Sequence, residues 1–299
     1  MSSTPTVSEL YCKTPSADNV AVGYQALTTQ TTGTRNTALG AYALKVSTTS
    51  NDNTAVGCTA LDANSTGASN TAVGSGALSA NTTANDNTGV GYSALIATTT
   101  GANNVSMGSY ALATNTTGHR NTGIGESCLR YNTTGFRNTA VGAAALTANT
   151  TADYNTAVGQ VTLEFCTEGH SNSGFGYAAL NAVTTGDTNL AIGYDSGNAG
   201  SPSGSITTAD GQMCLGGSGI THAFTKVAIT ATSDARDKTD ITPCDLGLDF
   251  INQLKPITYR WDERIKYSDD QSIVPDGTHK KEQLECGFLA QDVEAIEEQ

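Results

Sequence analysis

The chain is poor in the residues that build an ordinary globular core. Aromatic side chains make up 6% of its 299 residues, with a single Trp, and charged residues only 14%. Small residues must therefore fill whatever interior exists. Cations are scarce as well: 15 Lys and Arg stand against 28 Asp and Glu, a formal net charge of -13. Phosphate contacts need clustered Lys and Arg, so nucleic acid is excluded as a partner. No stretch approaches the roughly 20 apolar residues of a membrane span. The opening MSSTPTVSEL has neither the basic start nor the apolar run of a secretory signal. The expectation is a protein made in the cytoplasm, with no membrane insertion.

Sites for metals and cofactors are lacking too. The seven cysteines (Cys12, Cys58, Cys128, Cys166, Cys214, Cys244, Cys286) are odd in number, far apart and never form CxxC. Neither a disulfide framework nor a zinc site is indicated, and isolated reduced thiols are expected. His119, His170, His222 and His279 form no HxxxH or HExxH pair. No cofactor or metal is expected. Asn-x-Thr triplets such as Asn81 to Thr83 match a glycosylation sequon, but a Thr-rich repeat generates them by chance.

What the chain has in abundance is one phrase. NVAVGYQAL, NTALGAYAL, NTAVGCTAL, NTAVGSGAL and NTGVGYSAL follow one another, and eleven glycines from Gly23 to Gly193 recur at a strict 17-residue period. Asn lies four places before every one of them, from Asn19 to Asn189, and Leu four places after, until Gly197 replaces it. A strict period means that each unit is one structural turn that buries its apolar face on its neighbours. A unit of this length, β-branched and punctuated by Gly and TTG-like turns, suits one coil of a β-solenoid; helical repeats need about twice that length.

Within NTAVG, alternation sends Thr and Val to one face and Asn, Ala and Gly to the other. The Gly marks a bend or a positive φ. Stacked Asn amides are expected to donate and accept between turns. Ten steps of about 4.8 Å make a rod of roughly 48 Å. One repeat offers little more than one Val, one Leu and two Ala for burial, so a thin polar coil favours several chains around a common axis.

NTAVGYxAL followed by TTG is similar to the repeats in the heads of trimeric autotransporter adhesins and in many phage tail fibres. That resemblance, over about 19–197, implies a parallel β-roll in a homotrimer.

After Gly193 the phrase fails; 195–211 interrupts it before GQMCLGGSG partly restores it near Gly216. Charge then rises abruptly, with 24 charged residues in 233–299 against 19 in 1–232. LGLDFINQL (246–254) reads as an amphipathic helix, ITYRW (257–261) as a half-buried strand, and CGFLAQDVEAI (286–296) as a strand running into a helix.

SDARDK (233–238), LKPITYRW (254–261) and GFLAQDVE (287–294) together make this tail resemble the auto-cleaving intramolecular chaperone of phage tailspike endosialidases and tail fibres. In that family a Ser and a Lys five residues later form the dyad that cuts just before the Ser. The resemblance places this dyad on Ser233 and Lys238, the cut between Thr232 and Ser233, and the framing residues at Asp234 and Arg236. Taken alone, SDARDK also fits a helix N-cap at Ser233, with Asp234 and Asp237 in the first turn.

The expected organisation is mainly β: an N-terminal segment (1–18), a parallel β-solenoid or β-roll array (19–197), and a degenerate repeat, cap and linker (198–232). A small α+β chaperone domain (233–299) follows, read as cut short at Gln299. The leading function is a homotrimeric phage tail fibre, located in the virion and made in the host cytoplasm. Its partners are other tail components and a host surface glycan, reached through Tyr24, Tyr92, Tyr177 and Tyr194 or the 195–211 loop. Its chemistry is one self-cleavage with no external substrate.

The alternative is a bacterial trimeric surface adhesin with a glycan-binding head. An ice-binding solenoid fits less well, since the adjacent Thr of each TT pair would point to opposite faces of a strand. Asp and Glu are too sparse in the array for an evident glycosidase acid pair.

Overall fold

The computed structural model describes residues 18–217, 219–220, 253–260, 282 and 285–287. The chain divides into two compact units, 1–224 and 225–299.

The first unit is a parallel β-solenoid. Twelve three-residue strands, β1 (Val20–Val22) to β12 (Met213–Leu215), form one sheet in sequence order. Each pairs in register with its neighbour, so Ala38 faces Ala55 and Ala55 faces Ala72. The 17-residue period is therefore one coil. Between β11 (Leu190–Ile192) and β12 the offset is longer, since Leu190 pairs with Met213; the interrupting segment is extra length within a coil whose strand still stacks.

Numbering each coil from its Asn, the interior is made of positions 1, 3, 8, 9, 12 and 15. Ala38, Ala43 and Leu44 are fully buried, as are Asn36 and Ser47. The central strand residue points inward while its neighbours, Thr at position 2 and Val or Leu at position 4, point out. The alternation expected from NTAVG holds. The Val expected among the buried apolar groups does not lie in the interior, however. Leu39, Met107, Ile192 and Leu215 at this position are between 44% and 56% exposed, because a strand with a one-residue inward face has no room for a second core residue.

The glycines at position 5 turn the chain after each of the first eleven strands, with φ between +125° and +143°. A Cβ on Gly91 would lie 2.5 Å from the carbonyl oxygen of Gly108 in the next coil. Both the angle and the stacking distance require Gly. More surprising are the core leucines, Leu27 to Leu180 at position 9, which hold φ between +48° and +53°. Bulky residues rarely adopt this conformation. Here it is imposed by packing from above and below, with the Leu44 amide donating to Ala60 O at 3.0 Å and the Leu61 amide to Ala77 O at 3.1 Å.

The recurring Asn explains how such a thin coil closes. Its Oδ1 accepts the backbone N–H of the Asn in the next coil at 2.8–3.0 Å, from Asn36 on Asn19 through Asn189 on Asn172. Its Nδ2 crosses the interior to the carbonyl at position 15 of its own coil, as in Asn87 to Gly101, Asn104 to Gly118 and Asn121 to Gly135 at 2.8–2.9 Å. One amide thus binds the coil to itself and to its neighbour. Asp would supply no donor.

A second amide column occupies position 12 wherever that residue is Asn. Asn81 donates to Asn64, and Asn132 to Asn115, both at 2.8 Å. These side chains share the position-15 carbonyl with the first column: Gly67 O accepts from both Asn53 and Asn64 at 2.9 Å. The column breaks where the next residue is not Asn. Asn81 Oδ1, beneath Thr98, and Asn149 Oδ1, beneath Cys166, are buried without a partner among the described residues. A third column is made of hydroxyls at position 13. Each donates to the carbonyl of its counterpart one coil on, from Thr31 to Thr48 at 2.9 Å up to Thr184 to Thr207 at 3.3 Å.

In the second unit, β13 (Ile257–Tyr259) pairs antiparallel with β14 (Glu285–Gly287). Ile257 and Tyr259 are half-buried and Thr258 is exposed, as the alternation in ITYRW requires. The readings for 246–252 and 288–296 lie outside the described residues.

These contacts order three substitutions by thermal unfolding. Thr98→Asn, of similar volume, supplies the donor that Asn81 Oδ1 lacks and should raise stability by about 1 kcal/mol. Asn104→Ala strands the Asn121 amide in the core and should cost about 3 kcal/mol. Gly91→Ala forces a Cβ onto backbone and should cost more than the same change at Gly76, where an added Cβ would stand 3.5 Å from its nearest neighbour, Ser93 Oγ. Destabilisation by Thr98→Asn, or equal effects at the two glycines, would contradict the stacking described.

Candidate functional site

The residues proposed for chemistry, Thr232, Ser233, Asp234, Arg236 and Lys238, lie outside the described residues. What the structure brings together is the other two signatures of the tail. Ile257 lies opposite Gly287, Thr258 opposite Cys286 and Tyr259 opposite Glu285. LKPITYRW and the start of GFLAQDVE, well separated in the sequence, thus share one ladder. Arg260 Nε donates to Glu282 O at 2.9 Å, adding a cross-link beyond the end of the strand. An antiparallel pair of this kind fixes the two segments to each other through backbone alone, whatever side chains they carry.

On the solenoid, the tyrosines suggested for glycan contact are on the outside. Tyr24, Tyr92, Tyr177 and Tyr194 keep about half or more of their surface in water. They are also in contact with other rings across coils. Tyr92 meets Tyr110 edge-on at 5.3 Å, and Tyr177 stacks on Tyr194 at 5.2 Å with rings 12° apart. The Arg130 guanidinium lies 4.8 Å from the Tyr110 ring centroid and 5.5 Å from that of Tyr131. The two ring pairs lie on the corner just after the position-5 bend, where rings of neighbouring coils support each other.

Several other chemical groups of the array are structural. Of the described cysteines Cys58 is exposed, while Cys128, Cys166 and Cys214 are buried, and all four are free thiols. Burial pushes the Cys128 and Cys166 thiols up to about 12, which removes them as nucleophiles. His119 stacks on Phe136 at 5.1 Å. His170 Nδ1 accepts the Asp153 amide at 3.0 Å. Arg35 and Asp52 form an exposed bidentate pair; its geometry raises the Arg35 pKa and lowers that of Asp52. In the TT pairs at positions 13 and 14, such as Thr116–Thr117, the first hydroxyl is tied to the next coil and the second is exposed. Their opposite directions therefore arise in a turn and not, as expected, in a strand.

The residues that sequence reasoning missed are those of the second amide column and of the hydroxyl column. Position 12 is Asn in only part of the array, and Thr at position 13 reads as turn composition. The signal that could have found them is the period itself, since both residues recur at 17-residue spacing.

Residues 233–299 fit the family model described as the chaperone of endosialidase. No curated protein and no solved structure matches the chain. The match begins at Ser233, where the charge of the sequence rises, and it takes in both strands of the second unit. The chain therefore carries a β-solenoid of 17-residue repeats, followed by a C-terminal segment, 233–299, that is similar to the chaperone of endosialidase.

Proposed function

We propose that this protein is the shaft of a homotrimeric bacteriophage tail fibre or tailspike, carried in the virion, whose C-terminal chaperone aligns three chains and then removes itself. The observation that carries this reading is the chaperone match over 233–299, directly downstream of an array built from one repeated coil. Parallel solenoids form through non-local pairing, which is slow and open to register errors. A chaperone that holds three C-termini together answers that difficulty. Other tail components and a host surface glycan are the proposed partners, the glycan meeting the exposed tyrosine corner.

The proposed release is a single self-cleavage. Ser233 follows the scissile bond, so its Oγ reaches the Thr232 carbonyl carbon through a five-membered ring. A neutral Lys238 amine takes the hydroxyl proton as the C–O bond forms. That proton passes to the departing Ser233 nitrogen as the C–N bond breaks. The acyl group has then moved from nitrogen to oxygen, and water hydrolyses the ester to give a carboxylate at Thr232 and the original Ser233 hydroxyl. Asp234 and Arg236 frame the motif, and no cofactor takes part.

Intact-mass measurement of the expressed protein tests this. The wild type should yield fragments 1–232 and 233–299, whereas Ser233→Ala and Lys238→Ala should each leave the 30.6 kDa chain whole. An uncut wild type, or normal fragments from both variants, would overturn the site.

A further inference from the structure

The solenoid carries few cations and gathers most of them in one place. Over 18–217 the Lys and Arg are Arg35, Lys45, Arg120, Arg130 and Arg137, and the last three fall in two adjacent coils. Arg120 and Arg137 occupy position 17 of those coils, one above the other, with the Arg137 amide donating to His119 O at 3.1 Å. Both side chains are exposed. At the same position Arg35 is answered one coil on by Asp52, whereas Arg137 is followed by Tyr154. Neither Arg120 nor Arg137 has an ion pair among the described residues. Like charges on neighbouring rungs repel, and a bound anion would offset that repulsion.

Rings stand beside these guanidinium groups. His119 and Phe136, at position 16, stack at 5.1 Å with planes 2° apart, and Tyr154 meets Phe136 edge-on at 5.3 Å. Tyr154 keeps 48% of its surface in water. Its hydroxyl accepts Arg137 Nη1 at 2.7 Å, and the same guanidinium lies 5.4 Å from the Tyr154 ring centroid and 5.9 Å from that of Phe136. Arg137 is thereby held in place while its other side-chain N–H donors, and all those of Arg120, have no partner among the described residues. The carboxylate of Asp153, one coil on, is turned to other groups: Oδ1 accepts the Phe136 amide at 2.8 Å and Oδ2 lies 3.9 Å from His170 Nδ1.

We propose that Arg120, Arg137, Phe136 and Tyr154 form a binding site for an acidic sugar, a pyranose ring carrying a carboxylate, within a polysaccharide. The inference rests on the glycan-contacting reading above and adds a second place on the rod, away from the corner after the position-5 bend, and a charge for the ligand. A carboxylate is planar and accepts two parallel N–H bonds from a guanidinium. Two arginines on backbones about 4.8 Å apart supply two such forks to one anion. A bare ion would need no rings; a sugar also has apolar C–H faces, and the half-exposed Tyr154 ring beside the arginines gives them a surface. The net charge of -13 repels an acidic polymer from the rest of the chain, which leaves the unmatched arginine pair as the place where it is held.

The test uses the full chain and defined oligosaccharides, with affinity read by calorimetry. A galacturonate hexamer should bind, and its methyl ester, the same sugar without the charge, should bind roughly 10-fold more weakly or worse. Arg120→Gln with Arg137→Gln should weaken the acid hexamer by a similar factor, and Tyr154→Ala should weaken it as well, while Arg35→Gln with Lys45→Gln should leave it unchanged. Because the double arginine variant relieves a like-charge contact, it should unfold no earlier than the wild type, which separates lost binding from lost structure. Equal binding of acid and ester, or full affinity in the double arginine variant, overturns the site. Hexaglutamate bound as tightly as the hexamer overturns the sugar as its ligand. Full affinity in that variant with loss in Tyr177→Ala and Tyr194→Ala overturns this site and leaves the glycan reading. A wild type silent towards the hexamer also overturns the site, and silence across a glycan array removes the glycan reading with it.

Discussion

One buried amide per coil carries the architecture. So short a coil has too little cross-section to hold its shape by apolar packing, since a typical one places two alanines and a leucine inside. The Asn at position 1 does what packing does not. Its Nδ2 ties the two ends of a coil together across the interior, and its Oδ1 receives the next coil's backbone. Both bonds lie out of water, where an unpaired amide costs about 1–3 kcal/mol. A missing or shifted Asn is therefore penalised at every level of the rod.

Much else follows from that closure. Because the amides hold the coil so tightly, the chain must bend sharply, and it does so with Gly at position 5 and with left-handed residues at positions 7, 9 and 17, such as Tyr42, Leu44 and Asp52. Because the interior admits only one strand residue, the larger apolar side chains are turned outward. The polar column and the uncharged outer face are two results of one constraint. The first gives each chain its internal register, and the second leaves the outward strand positions of the solenoid without charge.

The sequence displayed the period, the position of the strands, the separation of Asn and Ala from Thr and Val on opposite strand faces and the positive φ of the glycines, because each depends only on what lies one period away. It did not display which apolar residues would be buried. Val22 and Leu27 look alike in a string; the difference arises when the coil closes and the Leu is wrapped inside. The left-handed leucines were illegible for the same reason, since no local preference favours Leu44 at φ +48°. The column at position 12 was hidden by substitutions such as Thr98 and Cys166. In the tail, the three signatures were legible as words. The structure shows two of them paired through β13 and β14, while Ser233 and Lys238 rest on the family match alone.

Residue-resolved amide hydrogen exchange tests the central claim most directly. The backbone amides of Asn104, Asn121 and Asn138 each donate to the side chain of the preceding Asn and to no backbone carbonyl. The account predicts that they exchange as slowly as the strand amides beside them and are released with them in one cooperative step. Exchange of these three amides at the rate of the exposed turns, with the strands still protected, would show that the side-chain column does not hold the coils together.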